Sequence, residues 1–257
     1  YVNGMESPLS LFLFSLLFLF VVSCKKSFET ISTSNYLFAG LVTSLIILTR
    51  LDDVFIVIGL AVPILLSNQG VQEKLKRCIY FGFIPTLLIC CYLFLNNHYA
   101  DSALPISGQI KNGEAYIENI LQLVNGFFPY KIIDSNDWGR WGGYTWRVLH
   151  NLLPLTIAAI YLVFYFRNYK KTSGNYYSRY NSFLAGLATY VILKGLYNFM
   201  FVHFTHQGHW YYVISILVAN IIVARFLYIF IKNKTTGFAD LTISSPYFLF
   251  ISVLVAL

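Results

Sequence analysis

Long apolar stretches alternate with short polar ones along the whole chain. A helix that crosses a bilayer needs about 20 mostly apolar residues, so each stretch is a candidate membrane span. The pattern predicts the spans 8–23, 34–49, 54–68, 78–95, 148–166, 182–202, 211–231 and a truncated one from 246. The predicted fold class is an all-α polytopic transmembrane bundle of about 7–8 spans, forming a single domain over residues 1–257.

Two connections in this pattern are unusual. The second and third spans are short, which predicts a helical hairpin with Arg50-Leu51-Asp52-Asp53 at its tip. The stretch 96–147 is too long for a passive connection in a compact bundle, and it carries three tryptophans. We expect an extracytoplasmic loop there, with short helices at the membrane surface. The chain starts without Met and stops inside an apolar run, so we expect a fragment of a longer protein.

The charged residues support this topology. Only 11% of the 257 residues are charged, against about 25% in soluble domains. Eleven of the eighteen basic residues fall in four alternate loops, 24–33, 69–77, 167–181 and 232–245, which places those loops in the cytoplasm by the positive-inside rule. Eight of the eleven acids fall on the other side. The net charge of +7 therefore needs no nucleic acid to explain it.

The hairpin tip is the first candidate site. Charges at the bilayer centre cost roughly 2.5–3.5 kcal/mol each on insertion scales, so we expect Arg50, Asp52 and Asp53 at the outer interface. Paired carboxylates there can bind a divalent metal, act as a general base or hold Arg50. The alternative is a solvated turn with a weak local ion pair.

Two further motifs lie on the same predicted face. Glu6 precedes the first span, where the helix dipole favours an anion, although Ser7 and Pro8 also suit a plain helix start. Ser107 and Lys111 flank a glycine in the long loop and could bind a phosphate, Lys as a mobile point charge. The alternative is a helix-capping turn for Glu6 and an ordinary polar loop for Ser107 and Lys111.

Histidines and a buried lysine complete the candidates. The segment that holds His203, His206, His209, Trp210 and Tyr211 predicts a hydrogen-bonding rim around a substrate, with an interfacial aromatic belt or a structural metal as alternatives. A charged lysine within a span is costly and is therefore a hypothesis for a functional residue. Lys194, about two turns inside the outer surface, could reach a lipid phosphate or pair with a carboxylate such as Asp52.

An ordered set of motifs resembles a known group of enzymes. The set comprises Gly-Met-Glu-Ser-Pro-Leu (4–9), Leu-Thr-Arg-Leu-Asp-Asp (48–53), Leu-Pro-Ile-Ser-Gly-Gln-Ile-Lys (104–111) and His-Trp-Tyr-Tyr (209–212). It is similar to that of bacterial GT-C-type membrane glycosyltransferases, the group that includes protein mannosyltransferase-like and arabinosyltransferase-like enzymes. The resemblance covers residues 3 to about 212.

The resemblance implies an inverting transfer of a sugar from a polyprenyl-phosphate donor to a lipid, glycan or protein acceptor, at the outer face of a bacterial plasma membrane. The family's catalytic acid usually lies in a first outer loop, which we expect upstream of Tyr1. Matching positions make Asp52, Asp53 and Glu6 the catalytic candidates. The donor-phosphate candidates are Arg50, Ser107, Lys111 and Lys194. The residues establish no cofactor, and the carboxylates admit a divalent metal, Mg²⁺ or Mn²⁺. The rival functions are a lipid-linked glycan polymerase or ligase, a transporter or flippase, and a membrane scaffold.

Overall fold

The computed structural model describes residues 6–24, 26–101, 138–168, 178–202 and 212–234, and these are helices and their connections, without a strand. The helices are α1 (Glu6–Ser23), α2 (Thr33–Thr49), α3 (Phe55–Leu66), α4 (Val71–Ala100), α5 (Trp138–Asn168), α6 (Ser178–Phe201) and α7 (Val213–Lys234). Two 3-10 turns, Phe28–Thr30 and Leu51–Val54, precede α2 and α3. The all-α prediction is confirmed, and the predicted tip connects α2 to α3, although α2 packs mainly on α4 and α3 mainly on α6. The predicted span from 246 lies outside the described residues.

Two helices extend well beyond the predicted spans. α4 continues to Ala100, and α5 begins at Trp138, ten residues before the predicted start. Both additions enter the stretch that we interpreted as a loop with short interfacial helices, because an apolar stretch marks only the hydrophobic part of a helix. The remaining part of that stretch, 102–137, lies outside the described residues.

Two helices are long and apolar enough to cross a membrane, Val71–Tyr99 and Tyr180–Phe201, and four shorter ones are also apolar. The most apolar window of α4 is only 11% buried, against 61% for α6. A core helix of a soluble protein would hide this surface, whereas α4 exposes large side chains such as Phe83, Leu87 and Phe94. Exposed apolar surface of this extent indicates contact with an apolar environment.

The centre of the bundle is the crossing of α3 with α6. Gly59 of α3 and Gly186 of α6 bring the two backbones into contact, since a Cβ atom on Gly59 would lie 2.5 Å from the Gly186 carbonyl oxygen. The same Cβ would lie 2.7 Å from the Tyr190 backbone nitrogen. Small residues at such a crossing allow close packing of membrane helices. The crossing fixes how α3 enters the hairpin tip.

Replacing Gly59 by Ala should therefore lower the free energy of unfolding by about 1–3 kcal/mol, the usual range for an overpacked core. Gly82→Ala is the matched control, because a Cβ atom on Gly82 meets nothing within 4 Å. That control should leave the protein as stable as before or stabilise it slightly, since Gly weakens a helix interior. Equal thermal unfolding midpoints for both variants in detergent would contradict the close crossing.

The end of the bundle opposite the hairpin tip is closed by the 3-10 turn Phe28–Thr30. The buried Phe28 ring lies 5.8 Å from the ring of Tyr36, 5.9 Å from that of Phe81 and 5.4 Å from that of Phe183. The Tyr36 hydroxyl donates a 2.6 Å hydrogen bond to the Phe28 carbonyl oxygen. Aromatic rings of α2, α4 and α6 thus meet around one side chain.

Candidate functional site

The hairpin tip forms where α2 ends and the chain turns into α3. The Thr49 hydroxyl donates to the Ile46 carbonyl oxygen at 2.6 Å, and Arg50 leaves the helical conformation with φ −152° and ψ 110°. The backbone nitrogen of Asp53 then donates to the Arg50 carbonyl oxygen at 2.9 Å. The resulting 3-10 turn places Asp52 and Asp53 directly before α3, where the positive end of the helix dipole stabilises a carboxylate.

Five side chains form one connected cluster at this tip. The Arg50 guanidinium binds the Asp52 carboxylate through both oxygens, with Nε–Oδ1 at 3.2 Å and a second nitrogen 3.1 Å from Oδ2. The Lys194 ammonium lies 3.5 Å from Asp52 Oδ2 and in direct contact with Asp53 Oδ1. The Tyr190 hydroxyl donates to Asp53 Oδ1 at 2.6 Å. We call Arg50, Asp52, Asp53, Tyr190 and Lys194 the tip cluster.

The cluster is buried and electrically balanced. Its side chains are exposed by 7% at Arg50, 17% at Asp52, 0% at Asp53 and 2% at Lys194. Two cations face two anions, so the formal charges cancel. A buried ion costs several kcal/mol in desolvation, which only good geometry and further hydrogen bonds repay. The alternative interpretation of the tip as a solvated turn is therefore wrong. Of the two carboxylates, Asp52 is the one that is partly exposed.

The two cations keep Asp52 ionised. This residue lies in the connection between α2 and α3, outside both helices. Burial alone would raise the pKa of its carboxyl, but the charges of Lys194 and Arg50 and their hydrogen bonds lower it to about 2. At neutral pH Asp52 is thus an anion held between two cations.

Asp53 has a different environment. Its Oδ1 accepts hydrogen bonds from the Tyr190 hydroxyl and the Lys194 ammonium. Its Oδ2 is buried without a hydrogen-bond partner among the residues that the structure describes. Since the side chain has no exposed surface, Asp53 cannot touch a substrate in this state. Its carboxylate instead fixes the Lys194 ammonium, which contacts Asp52 in turn.

The tip is recessed along α6. Lys194 lies seven residues before Phe201, the last residue of α6, which corresponds to about 10 Å of helix. Because Asp52 and Asp53 contact Lys194, the tip lies at the same level and not at the end of α6. That the three charges lie at the outer interface stays a prediction; within the bundle they neutralise one another.

Aromatic side chains adjoin the cluster. The rings of Phe55 on α3 and Tyr197 on α6 lie 5.3 Å apart, and Tyr197 lies 5.5 Å from Phe201. Asn198 follows Lys194 by one helical turn and is also buried. From Tyr190 to Asn198, α6 thus carries polar groups on the face that packs against α3.

The structure brings some of the predicted site residues together, and others lie outside the described residues. Arg50, Asp52, Asp53 and Lys194 meet, and Lys194 pairs with carboxylates, which was one of its two predicted roles. Glu6 begins α1, and its side chain lies outside the described part. A 2.5 Å hydrogen bond between the Ser10 and Thr49 hydroxyls brings the start of α1 beside the tip. The other predicted residues lie outside the described residues: Ser107, Lys111, His203, His206, His209, Trp210 and Tyr211.

Tyr190 is the member that the sequence analysis missed. It stands one helical turn before Lys194 and one turn after Gly186, so the three residues share one face of α6. The i, i+4 spacing of a tyrosine and a lysine within an apolar helix was the available signal. It is weak here, because the chain has 20 tyrosines.

A divalent metal does not fit the described carboxylates. Within the described ranges, no group of three His, Cys, Asp or Glu side chains could hold a metal ion. Asp52 and Asp53 are already neutralised by Arg50 and Lys194, so that a further cation would meet two positive charges at close range.

Comparisons of this chain with protein-family models, with curated proteins and with solved structures give no match. Any functional assignment therefore depends on the residues and on their geometry.

Proposed function

We propose that this protein is a multi-span membrane glycosyltransferase that transfers a sugar from a polyprenyl-phosphate donor to an acceptor hydroxyl. The observation that carries the proposal is the tip cluster, in which Asp52 is the partly exposed member of a buried, charge-balanced group. Ionisable residues inside a membrane bundle are costly and mark functional sites. In this proposal the seven described helices belong to a bundle in a bacterial plasma membrane, with the hairpin tip towards the outer face.

A recessed cluster suits a lipid-linked substrate. The polyprenyl tail would stay among the lipids that cover the exposed apolar faces, while the phosphate and the sugar enter from the tip end of the bundle. The acceptor oxygen attacks the anomeric carbon, and the bond from that carbon to the phosphate oxygen breaks with its electrons on the phosphate. Asp52 takes the acceptor proton as general base, and Arg50 faces the departing phosphate.

The pairing of Asp52 with Arg50 gives this mechanism an order. A carboxylate held between two cations is a weak base, because both cations favour its ionised form. The donor phosphate is also an anion and would draw the Arg50 guanidinium away from Asp52. The carboxylate then binds a proton more readily, so donor binding prepares the base for the acceptor.

Transport is the second candidate function. Buried ionisable side chains in contact, such as Tyr190, Asp53 and Lys194, also occur in proton and ion pathways. The sites of many transporters are built from discontinuous helices near the membrane centre. α6 is continuous from Ser178 to Phe201, through all its polar positions. This continuity favours a fixed site that binds a substrate from one side.

The decisive experiment places the full-length protein in proteoliposomes with a radiolabelled polyprenyl-phosphate sugar and cell-envelope extract as acceptor. We expect label to leave the lipid-phosphate fraction and to appear in acceptor material, with no time-dependent accumulation of free label inside the vesicles. Empty vesicles treated in the same way are the control. Accumulation of free sugar without transfer would reject the enzyme in favour of the transporter.

A further inference from the structure

The Tyr190 hydroxyl has no part in the chemistry proposed above, although it lies at the centre of the site. It donates to Asp53 Oδ1 at 2.6 Å, and the Lys194 ammonium lies 3.3 Å from the same hydroxyl oxygen. The side chain is fully buried on the face of α6 that packs against α3. A hydroxyl removed from water in this way contributes to stability only through the partners it meets.

Those partners connect Tyr190 to Asp52 through two intermediate side chains, Asp53 and Lys194. Asp53 has no exposed surface, and its carboxylate contacts the Lys194 ammonium directly. Lys194 in turn lies 3.5 Å from Asp52 Oδ2, whereas Arg50 binds both oxygens of the same carboxylate. The direction in which Asp52 points is therefore set by two cations, and the position of one of them depends on Asp53.

Lys194 alone does not fix this arrangement. An ammonium group is a point charge on a flexible four-carbon side chain, and its three donors can point in several directions. The Tyr190 ring is rigid, and its backbone is held by the crossing at Gly59, where a Cβ atom would approach the Tyr190 nitrogen to 2.7 Å. The position of the Tyr190 hydroxyl is consequently fixed. Its hydrogen bond orients the Asp53 carboxylate, which in turn orients the Lys194 ammonium.

We propose that Tyr190 is a positioning residue for the transfer reaction, and that it acts through Asp53 and Lys194 to hold Asp52 in one orientation towards the acceptor. This inference rests on the proposed function. Tyr190 touches neither donor nor acceptor, so that its loss should impair the chemical step and leave donor binding unchanged. A displacement of about 1 Å in a reacting group can cost about 100-fold in rate.

The test is Tyr190→Phe in the full-length protein, which removes one oxygen atom. Tyr36→Phe is the matched control, because Tyr36 is equally buried and donates a hydrogen bond of the same 2.6 Å length at the opposite end of the bundle. We expect kcat per folded protein to fall about 10- to 100-fold in Tyr190→Phe, with the donor KM within about twofold of wild type. Tyr36→Phe should keep both constants. A kcat close to that of wild type, or a loss that appears only in KM, would overturn the proposal.

A second measurement needs no activity. Thermal unfolding midpoints of Tyr190→Phe, Asp53→Asn and the double variant form a cycle that reports whether the two side chains depend on each other. The double variant should lose less stability than the sum of the losses in the two single variants. The losses in stability from Tyr36→Phe and Asp53→Asn should instead be additive. Additive losses in both pairs would remove the contact on which the inference depends. If the cycle shows coupling but the wild-type protein transfers no sugar, the proposed function fails while the contact stands.

Discussion

Asp52→Asn in the full-length protein should lower the rate of sugar transfer by about 100-fold or more, the usual contribution of a general base. The amide keeps the shape of the carboxylate and can still accept hydrogen bonds from Arg50. It cannot take up the acceptor proton, and it no longer balances the charge of Arg50. The measurement is transfer of label from a polyprenyl-phosphate sugar in proteoliposomes, normalised to protein in the membrane.

Asp101→Asn is the matched control for this variant. Asp101 is exposed at the end of α4 and has φ 51°, a left-handed conformation that Asn adopts as readily as Asp. The same chemical change there should leave both transfer and membrane insertion at wild-type levels. Asp52→Asn should also insert normally, since Asp53 still pairs with Lys194. A rate close to that of wild type for Asp52→Asn would exclude this carboxylate from the reaction.

The position of the hairpin and the identity of its charged tip were predictable from sequence. Three charges lie between two apolar segments that are short for membrane spans. Few arrangements other than a turn with paired charges are possible there, because each buried charge needs a partner. The pairing of Lys194 with a carboxylate was predictable for the same reason. We named Asp52 as an example, and the structure adds Asp53 as the closer partner.

The level at which the tip meets α6 and the role of Tyr190 were not predictable. Hydrophobic length shows that a segment suits a membrane, but the level at which α3 meets α6 is set by the crossing of Gly59 with Gly186. A glycine in an apolar helix gives no indication of its partner. The same holds for Tyr190, since tyrosine in such a helix more often faces lipid or the interface. Long-range packing decides both features.

Lys194→Met should lower the free energy of unfolding by about 3–5 kcal/mol, the cost of removing one partner from a buried ion pair. Methionine fills the volume of the lysine side chain but leaves Asp53 buried with Tyr190 as its remaining contact in the tip cluster. Asp52 keeps Arg50. The thermal unfolding midpoint of the purified variant in detergent measures the loss, and Lys76→Met is the control, because Lys76 is exposed on α4.

The double variant Lys194→Met/Asp53→Asn should recover most of this loss. Removing both members of a buried ion pair is often neutral, because the desolvation cost of the two charges disappears together with their attraction. The amide oxygen introduced by Asp53→Asn can still accept a hydrogen bond from the Tyr190 hydroxyl, so the close crossing of α3 with α6 is kept. Recovery would establish that Lys194 stabilises the bundle by neutralising Asp53. If the double variant is instead less stable than Lys194→Met alone, the two charges do not form a mutually dependent pair, and the charge-balanced tip cluster on which the transfer mechanism depends is wrong.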